Sequence, residues 1–300
     1  MATAYQYWDG DTSTDYGTAG NWRLADGTAG AVPLITDVVT FPSGCANAVA
    51  GGDYNGVALL SFTVKDGYSG TMGSATNGFA TALQIAATTF NFAGSGVSYI
   101  DLTANSTTTC NVTKAAPSPG IGEYGLTLSS ADTIANLNIS LASGESVGVA
   151  ALAGQTGTFT NVNIDGAGTI TLGSGMATIT ALAIGGTGTV YIDCTYTTLT
   201  ISGNPTVYQR SGAGTTLICQ GGRFYNNSTG TIAATNIFPG ATVDCTDGPM
   251  ARAMTTINVY GDGGFDDSAK RTTWTTLNDY GSGTNIKLGT NKKITRAAIA

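Results

Sequence analysis

The chain has 300 residues, with 43 Gly, no His, and 12 basic against 19 acidic side chains, for a formal net charge of −7. Only 10% of the residues are charged, far below the roughly 25% of an ordinary soluble domain, which excludes the Glu-, Lys- and Leu-rich composition of helical bundles, coiled coils and helical repeats. A chain without His offers no His-ligated metal, no His general base and no Ser-His or Cys-His nucleophile.

Residues 1–50 are richer in Trp, Tyr and Pro than residues 51–260 and read as an N-terminal cap or attachment segment. The opening Met1-Ala2-Thr3-Ala4-Tyr5 has neither the basic run nor the apolar core of a signal peptide. No run of 18 apolar residues occurs, so no membrane partner is expected. Asp9, Asp11 and Asp15 are spaced like alternating oxygen ligands. The Gly and terminal Glu of an EF-hand are missing, which favours a solvated loop over a metal site.

Residues 51–260 carry short apolar alternations between Gly-, Asn-, Ser- and Thr-rich breaks. Leu137-Asn138-Ile139, Val162-Asn163-Ile164, Leu182-Ala183-Ile184, Val190-Tyr191-Ile192 and Leu199-Thr200-Ile201 are examples. Period two with β-branched residues is the signature of strands. Similar segments also repeat. Leu137 and Val162 lie 25 apart, as do Ile139 and Ile164, and Leu182, Val207, Ile232 and Ile257 form a further series at that step. Cys194, Cys219 and Cys245 follow at 25 and 26, while Ile170, Val190 and Val207 give 20 and 17. A variable repeat of about 20–30 residues built from short strands reads as a solenoid.

In a parallel β-solenoid, equivalent residues of successive turns stack about 4.8 Å apart. Inward ladders are then Val, Ile, Leu and Cys, outward positions Thr, Asn and Ser, and Gly fills corners that need positive φ, as in Gly166-Ala167-Gly168 and Gly212-Ala213-Gly214. Identical turns would stack like charges, which accounts for their scarcity. The five Cys form no C-x-x-C pair and are expected as reduced, packed thiols. Alternation turns Tyr191 and Tyr208 outward, where a subunit contact is preferred to a sugar platform.

Residues 261–300 become polar around Phe265, Trp274 and Tyr280 and read as a C-terminal cap or attachment segment, with a short helix within Ser268–Tyr280. Residues 1–209 hold three basic and thirteen acidic side chains, whereas residues 210–300 hold nine and six. The basic tail of Lys287, Lys292, Lys293 and Arg296 suits an acidic partner or a neighbouring copy. Without interleaved aromatics it makes a poor nucleic-acid track.

The phrases Trp8-Asp9-Gly10, Gly20-Asn21-Trp22, Pro33 and Asp37-Val38-Val39-Thr40-Phe41, then Phe62-Thr63-Val64-Lys65-Asp66-Gly67-Tyr68-Ser69-Gly70-Thr71, resemble the start of phage-encoded and autotransporter-like bacterial β-solenoid surface proteins. The likeness covers residues 8–72. It implies a parallel β-helix, and relatives of this type include adhesins and virion proteins. Neither a signal peptide nor a C-terminal membrane barrel is visible, which favours the phage side.

Catalytic candidates are sparse. Glycoside hydrolysis needs two carboxylates converging across a groove. Asp262, Asp266 and Asp267 are the densest group, but adjacent Asp266 and Asp267 on a strand face opposite ways. Arg210, Arg223 and Arg252, the candidates for a lyase base, are not spaced one per turn. The expectation is an all-β, right-handed parallel β-helix with caps at 1–50 and 261–300, non-enzymatic and without cofactor or metal. Its expected role is a structural bacteriophage virion protein that decorates or stabilises the capsid or forms a fibre or tail accessory. Expected partners are further copies of itself, a trimer by preference, and other virion proteins such as the major capsid protein. The alternatives are a tailspike-like protein that binds or degrades host-surface glycans, and a bacterial surface adhesin. Trp8, Trp22, Tyr191, Tyr208, Trp274, Tyr280, Lys287, Lys292, Lys293 and Arg296 are the interface candidates.

Overall fold

The computed structural model describes the chain except for residues 1–2, 51–56, 75–81, 103–106, 248–250, 282, 284, 290–294 and 297–300. Its strands coil into a parallel β-solenoid of about 11 turns with almost no helix. Two ladders run along the rod, sheet A from Tyr5–Trp8 and sheet B from Leu83 onward. Sheet A stacks, among others, Val38–Phe41, Ala58–Val64, Thr109–Val112, Ile179–Ile184, Tyr196–Ile201 and Gly214–Cys219, and sheet B stacks Ser98–Leu102, Thr169–Leu172, Thr189–Ile192 and Thr206–Gln209. Two longer strands, Leu83–Phe92 and Leu126–Leu141, bend around the edge and serve sheet B with their first half and sheet A with their second.

Alternation decides what goes inside. On sheet A, Val162, Leu182, Leu199 and Leu217 stack in register, and Ile164, Ile184, Ile201 and Cys219 form a second column two residues on. On sheet B, Ile170, Val190, Val207 and Phe224 form a third. All are buried. Burying each Val, Leu, Ile or Phe side chain among them contributes roughly 1.5–3 kcal/mol, and together these columns are the core. Cys110, Cys194, Cys219 and Cys245 are free, buried thiols, and Cys45 is half-buried.

Turn length varies, as Ile170, Val190 and Val207 imply, for they stand in register on sheet B. Leu137 also stacks on Val162 and Ile139 on Ile164. The series from Leu182 through Val207 to Ile257 is not a column. Leu182 lies beside Leu199, and Val207 belongs to the other sheet. Cys219 likewise stacks between Ile201 and Ile237 rather than on another Cys.

The corner leaving sheet A repeats one device. Gly166, Gly186 and Gly203 adopt φ of 93°, 69° and 70°, and a Cβ on Gly186 would lie 2.2 Å from the Gly166 carbonyl oxygen. Both the left-handed backbone and the close stacking demand Gly there.

The N-terminal segment closes its end of the rod. Tyr5–Trp8 pairs in parallel with Val38–Phe41 and antiparallel with Trp22–Arg23, so the first edge of sheet A meets a reversed strand. Asn21 is fully buried and fixes the loop: its side chain accepts from the Thr12 and Ser13 amides and donates to the Asp15 carbonyl. Trp8, Tyr16, Trp22 and Phe41 pack against one another beneath it. At the other end the parallel ladder continues through Gly264–Asp267, Thr272–Tyr280 and Ile286–Leu288. The helix expected within Ser268–Tyr280 is therefore replaced by a turn at Ser268–Lys270 and a strand. Asp267 accepts from the Arg271 and Thr272 amides and holds that turn.

Candidate functional site

The interface candidates fall into three groups. Trp8 and Trp22 are 1% and 0% exposed, so they are core residues of the N-terminal end rather than surface anchors. Their indole N–H groups donate to the carbonyls of Asn47 and Tyr16. Tyr191, Tyr208, Trp274, Tyr280 and Lys287 are partly or well exposed and lie along the rod. Lys292 and Lys293 fall outside the described residues. Arg296 stands in the strand Thr295–Arg296, whose backbone lies in register with Asn278 and Asp279.

Alternation turns Tyr191 and Tyr208 outward on sheet B, and the register adds Tyr225. The three rings stack with centroids 5.3 and 4.6 Å apart. The Arg210 guanidinium sits 4.7 Å over the Tyr191 ring and that of Arg223 4.8 Å over Tyr225. Arg210 is held by Asp193 through Nε at 2.9 Å, and Arg223 by Asp244 at 2.6 Å. The ring faces are thus spent on neighbouring tyrosines and on guanidinium groups, and the stack turns its phenolic edge to solvent. That edge fits a packed contact better than a ring-stacking sugar platform. A second stack, Phe238–Tyr260–Tyr280, has spacings of 4.9 and 4.7 Å.

Most of the carboxylates singled out in the sequence are engaged in the fold; Asp262 is exposed and lines, with Asp266, Arg223 and Lys287, a cavity of about 330 Å³. Arg23 Nε lies 3.0 Å from Asp9 and its Nη2 3.9 Å from Asp11. Burial and the neighbouring Asp11 charge raise the Asp9 pKa against the pull of Arg23. Asp15 accepts from the Gly17 amide and the Thr18 hydroxyl. Asp266 faces outward toward Lys287, while Asp267 faces inward, the opposition expected of adjacent strand residues. Asp244 is buried. Burial pushes its carboxyl up, but the Thr246 hydroxyl and amide and the Arg223 guanidinium outweigh that and leave its pKa below the ordinary value. Of the three arginines, Arg210 and Arg223 flank the tyrosine stack, and Arg252 is buried with Nη1 donating to the Cys245 carbonyl. Among the described residues no group of three or more His, Cys, Asp or Glu could hold a metal ion.

Sequence reasoning missed one feature. The outward column of sheet A runs in register from Thr63 through Asn91, Asn111, Asn138 and Asn163 to Ala183 and Thr200. The asparagines form an amide ladder: Asn111 donates to Asn91, Asn138 to Asn111, and Asn163 to Asn138, each at 2.9 Å. Beside this column the strands Leu83–Phe92, Thr109–Val112, Ile179–Ile184 and Tyr196–Ile201 end, and a second column, Ala93, Thr113, Ser140, Asp165, Gly185 and Ser202, stands two residues further along the chain. The space between them is a groove parallel to the rod. Cavities of about 450 and 470 Å³ occupy it and share Asn91, Asn111 and Thr113. The signal in the sequence was the recurring apolar–Asn–apolar triplet, as in Cys110-Asn111-Val112 and Val162-Asn163-Ile164.

No protein-family model, curated protein or solved structure matches the chain.

Proposed function

We propose that the chain is a structural, self-associating rod of a bacteriophage particle, decorating or stabilising the capsid or forming a fibre or tail accessory. The observation that carries this reading is the outward Tyr191–Tyr208–Tyr225 stack pinned by Arg210 and Arg223. Tyr and Arg are the residues enriched at packed interfaces, and a stacked, preordered row loses little side-chain entropy on contact. The solenoid around it is suited to bearing load, since the turns at the stack are hydrogen-bonded to their neighbours along both sheets. Association of such rods side by side is symmetric, with a trimer preferred, and their ends engage other virion proteins such as the major capsid protein. The resemblance of residues 8–72 to phage-encoded solenoids supports the same assignment.

The test is to purify particles from the phage whose genome encodes the chain and examine them by mass spectrometry and electron microscopy. A fixed copy number and rod-shaped density on the particle surface are expected. Absence of the chain from intact particles overturns the proposal.

A further inference from the structure

We infer that the sheet A groove is a binding site for an extended, uncharged polysaccharide lying parallel to the rod axis. This goes beyond the particle assignment, and each can fail without the other.

The first argument is length and repeat. From Thr63 to Thr200 the floor column makes six steps between turns, about 29 Å at about 4.8 Å per step. A linear polymer with a repeat near this value meets an equivalent contact at each turn. The second is chemistry. A carboxamide has two N–H donors and two carbonyl lone pairs, and the ladder spends one of each. Each asparagine within it keeps a donor and an acceptor side by side, the pair that neighbouring sugar hydroxyls complement.

The third is shape. The facing column is built from the short side chains of Ala93, Thr113, Ser140, Asp165, Gly185 and Ser202. A Cβ on Gly185 would lie 3.3 Å from Asp165 Oδ1 and 3.7 Å from Ser202 Oγ. These short side chains leave room for a ring. The fourth is charge. Charged lining is sparse: Lys65 and Asp66 stand at one end, Asp66 paired with Lys114 Nζ at 2.6 Å, and Asp165 stands midway, so no basic row is present to hold an anionic chain. An extended peptide fits less well. The groove runs across the strands, whose backbone donors and acceptors are already committed to neighbouring turns, so no free edge is offered for strand addition.

The test is calorimetric titration of the purified chain with hexasaccharides of β-1,4-glucose and β-1,4-mannose. The matching trisaccharides and a hexagalacturonate serve as length and charge comparators. Saturable binding of at least one neutral hexasaccharide is expected, with its trisaccharide about tenfold weaker. Asn138→Thr, which keeps a strand-favouring residue but removes one amide, should weaken binding about three- to tenfold. Gly185→Phe should fill the groove and abolish binding. Asn258→Thr, in the Asn236–Asn258–Asn278 ladder that continues the same outward column past Ile218 and lines neither cavity, should leave affinity unchanged. Circular dichroism of all three variants separates lost binding from lost fold. Absence of binding across the neutral panel, preference for hexagalacturonate, or equal losses from Asn138→Thr and Asn258→Thr would overturn the inference.

Discussion

Leu199→Ala probes the packing that carries the fold. Leu199 is 0% exposed and lies in register between Leu182 and Leu217. Truncation removes three carbons, about 2.4 kcal/mol at roughly 0.8 kcal/mol per buried methylene. A cavity term adds to this where the surroundings fail to collapse. Here the neighbouring turns are held by backbone ladders on both sheets, so little collapse is available and a total of about 3–4 kcal/mol is expected. Thr200→Ala, one residue on and facing outward, should cost under about 1 kcal/mol. Urea denaturation followed by far-ultraviolet circular dichroism measures both, with the slope of the transition checked for constancy. A Leu199→Ala cost below about 1 kcal/mol, or equal costs for the two variants, would refute the inward and outward assignment.

Gly203→Ala should destabilise the rod more than Gly122→Ala. Both have positive φ, but a Cβ at Gly203 meets the Gly186 carbonyl oxygen at 2.8 Å, whereas at Gly122 nothing lies within 4 Å. The second therefore costs only the backbone term of about 1–2 kcal/mol, and matched thermal melts give the ranking. In a thiol-reagent assay, Cys45 should react in the folded chain and the four buried cysteines only after denaturation. Burial pushes Cys194 and Cys245 up to about 12 and depletes their thiolate. Asp244 has a depressed folded pKa, so its contribution is complete above the unfolded value near 3.9 and is lost as pH falls through the lower folded value. Asp244→Asn should cost about 1–3 kcal/mol at neutral pH, with the gap to the parent closing in acid melts. A gap that widens in acid would contradict the sign.

Much of the architecture was legible because inward residues of a solenoid must be apolar and must recur. Leu137 with Val162, and Ile170 with Val190 and Val207, were true stacking partners. The longer series failed for a physical reason. The two sheets use the same apolar alternation, so once turns shorten, a fixed step carries Leu182 on one sheet onto Val207 on the other. The Ser268–Tyr280 helix failed because Thr-rich sequence prefers the strand that the preceding turn exposes, and Asp267 and Lys270 at φ 58° make that turn. Trp8 and Trp22 were placed outside because composition marks a cap without saying which rings close it. The groove stayed hidden because Asn91, Asn111, Asn138 and Asn163 are unevenly spaced and become one column only when the register is known.

That register supports both long faces of the rod, and paired cysteines test it most directly. In a Cys45→Ser background, Thr198→Cys with Thr216→Cys places two outward thiols on adjacent turns, about 4.8 Å apart and within disulfide range. Thr198→Cys with Ala234→Cys places them two turns apart, about 9.6 Å, which is too far to bridge. Mild oxidation read by mass spectrometry should join the first pair and leave the second open. A disulfide in the second pair but not the first would contradict parallel stacking in this register.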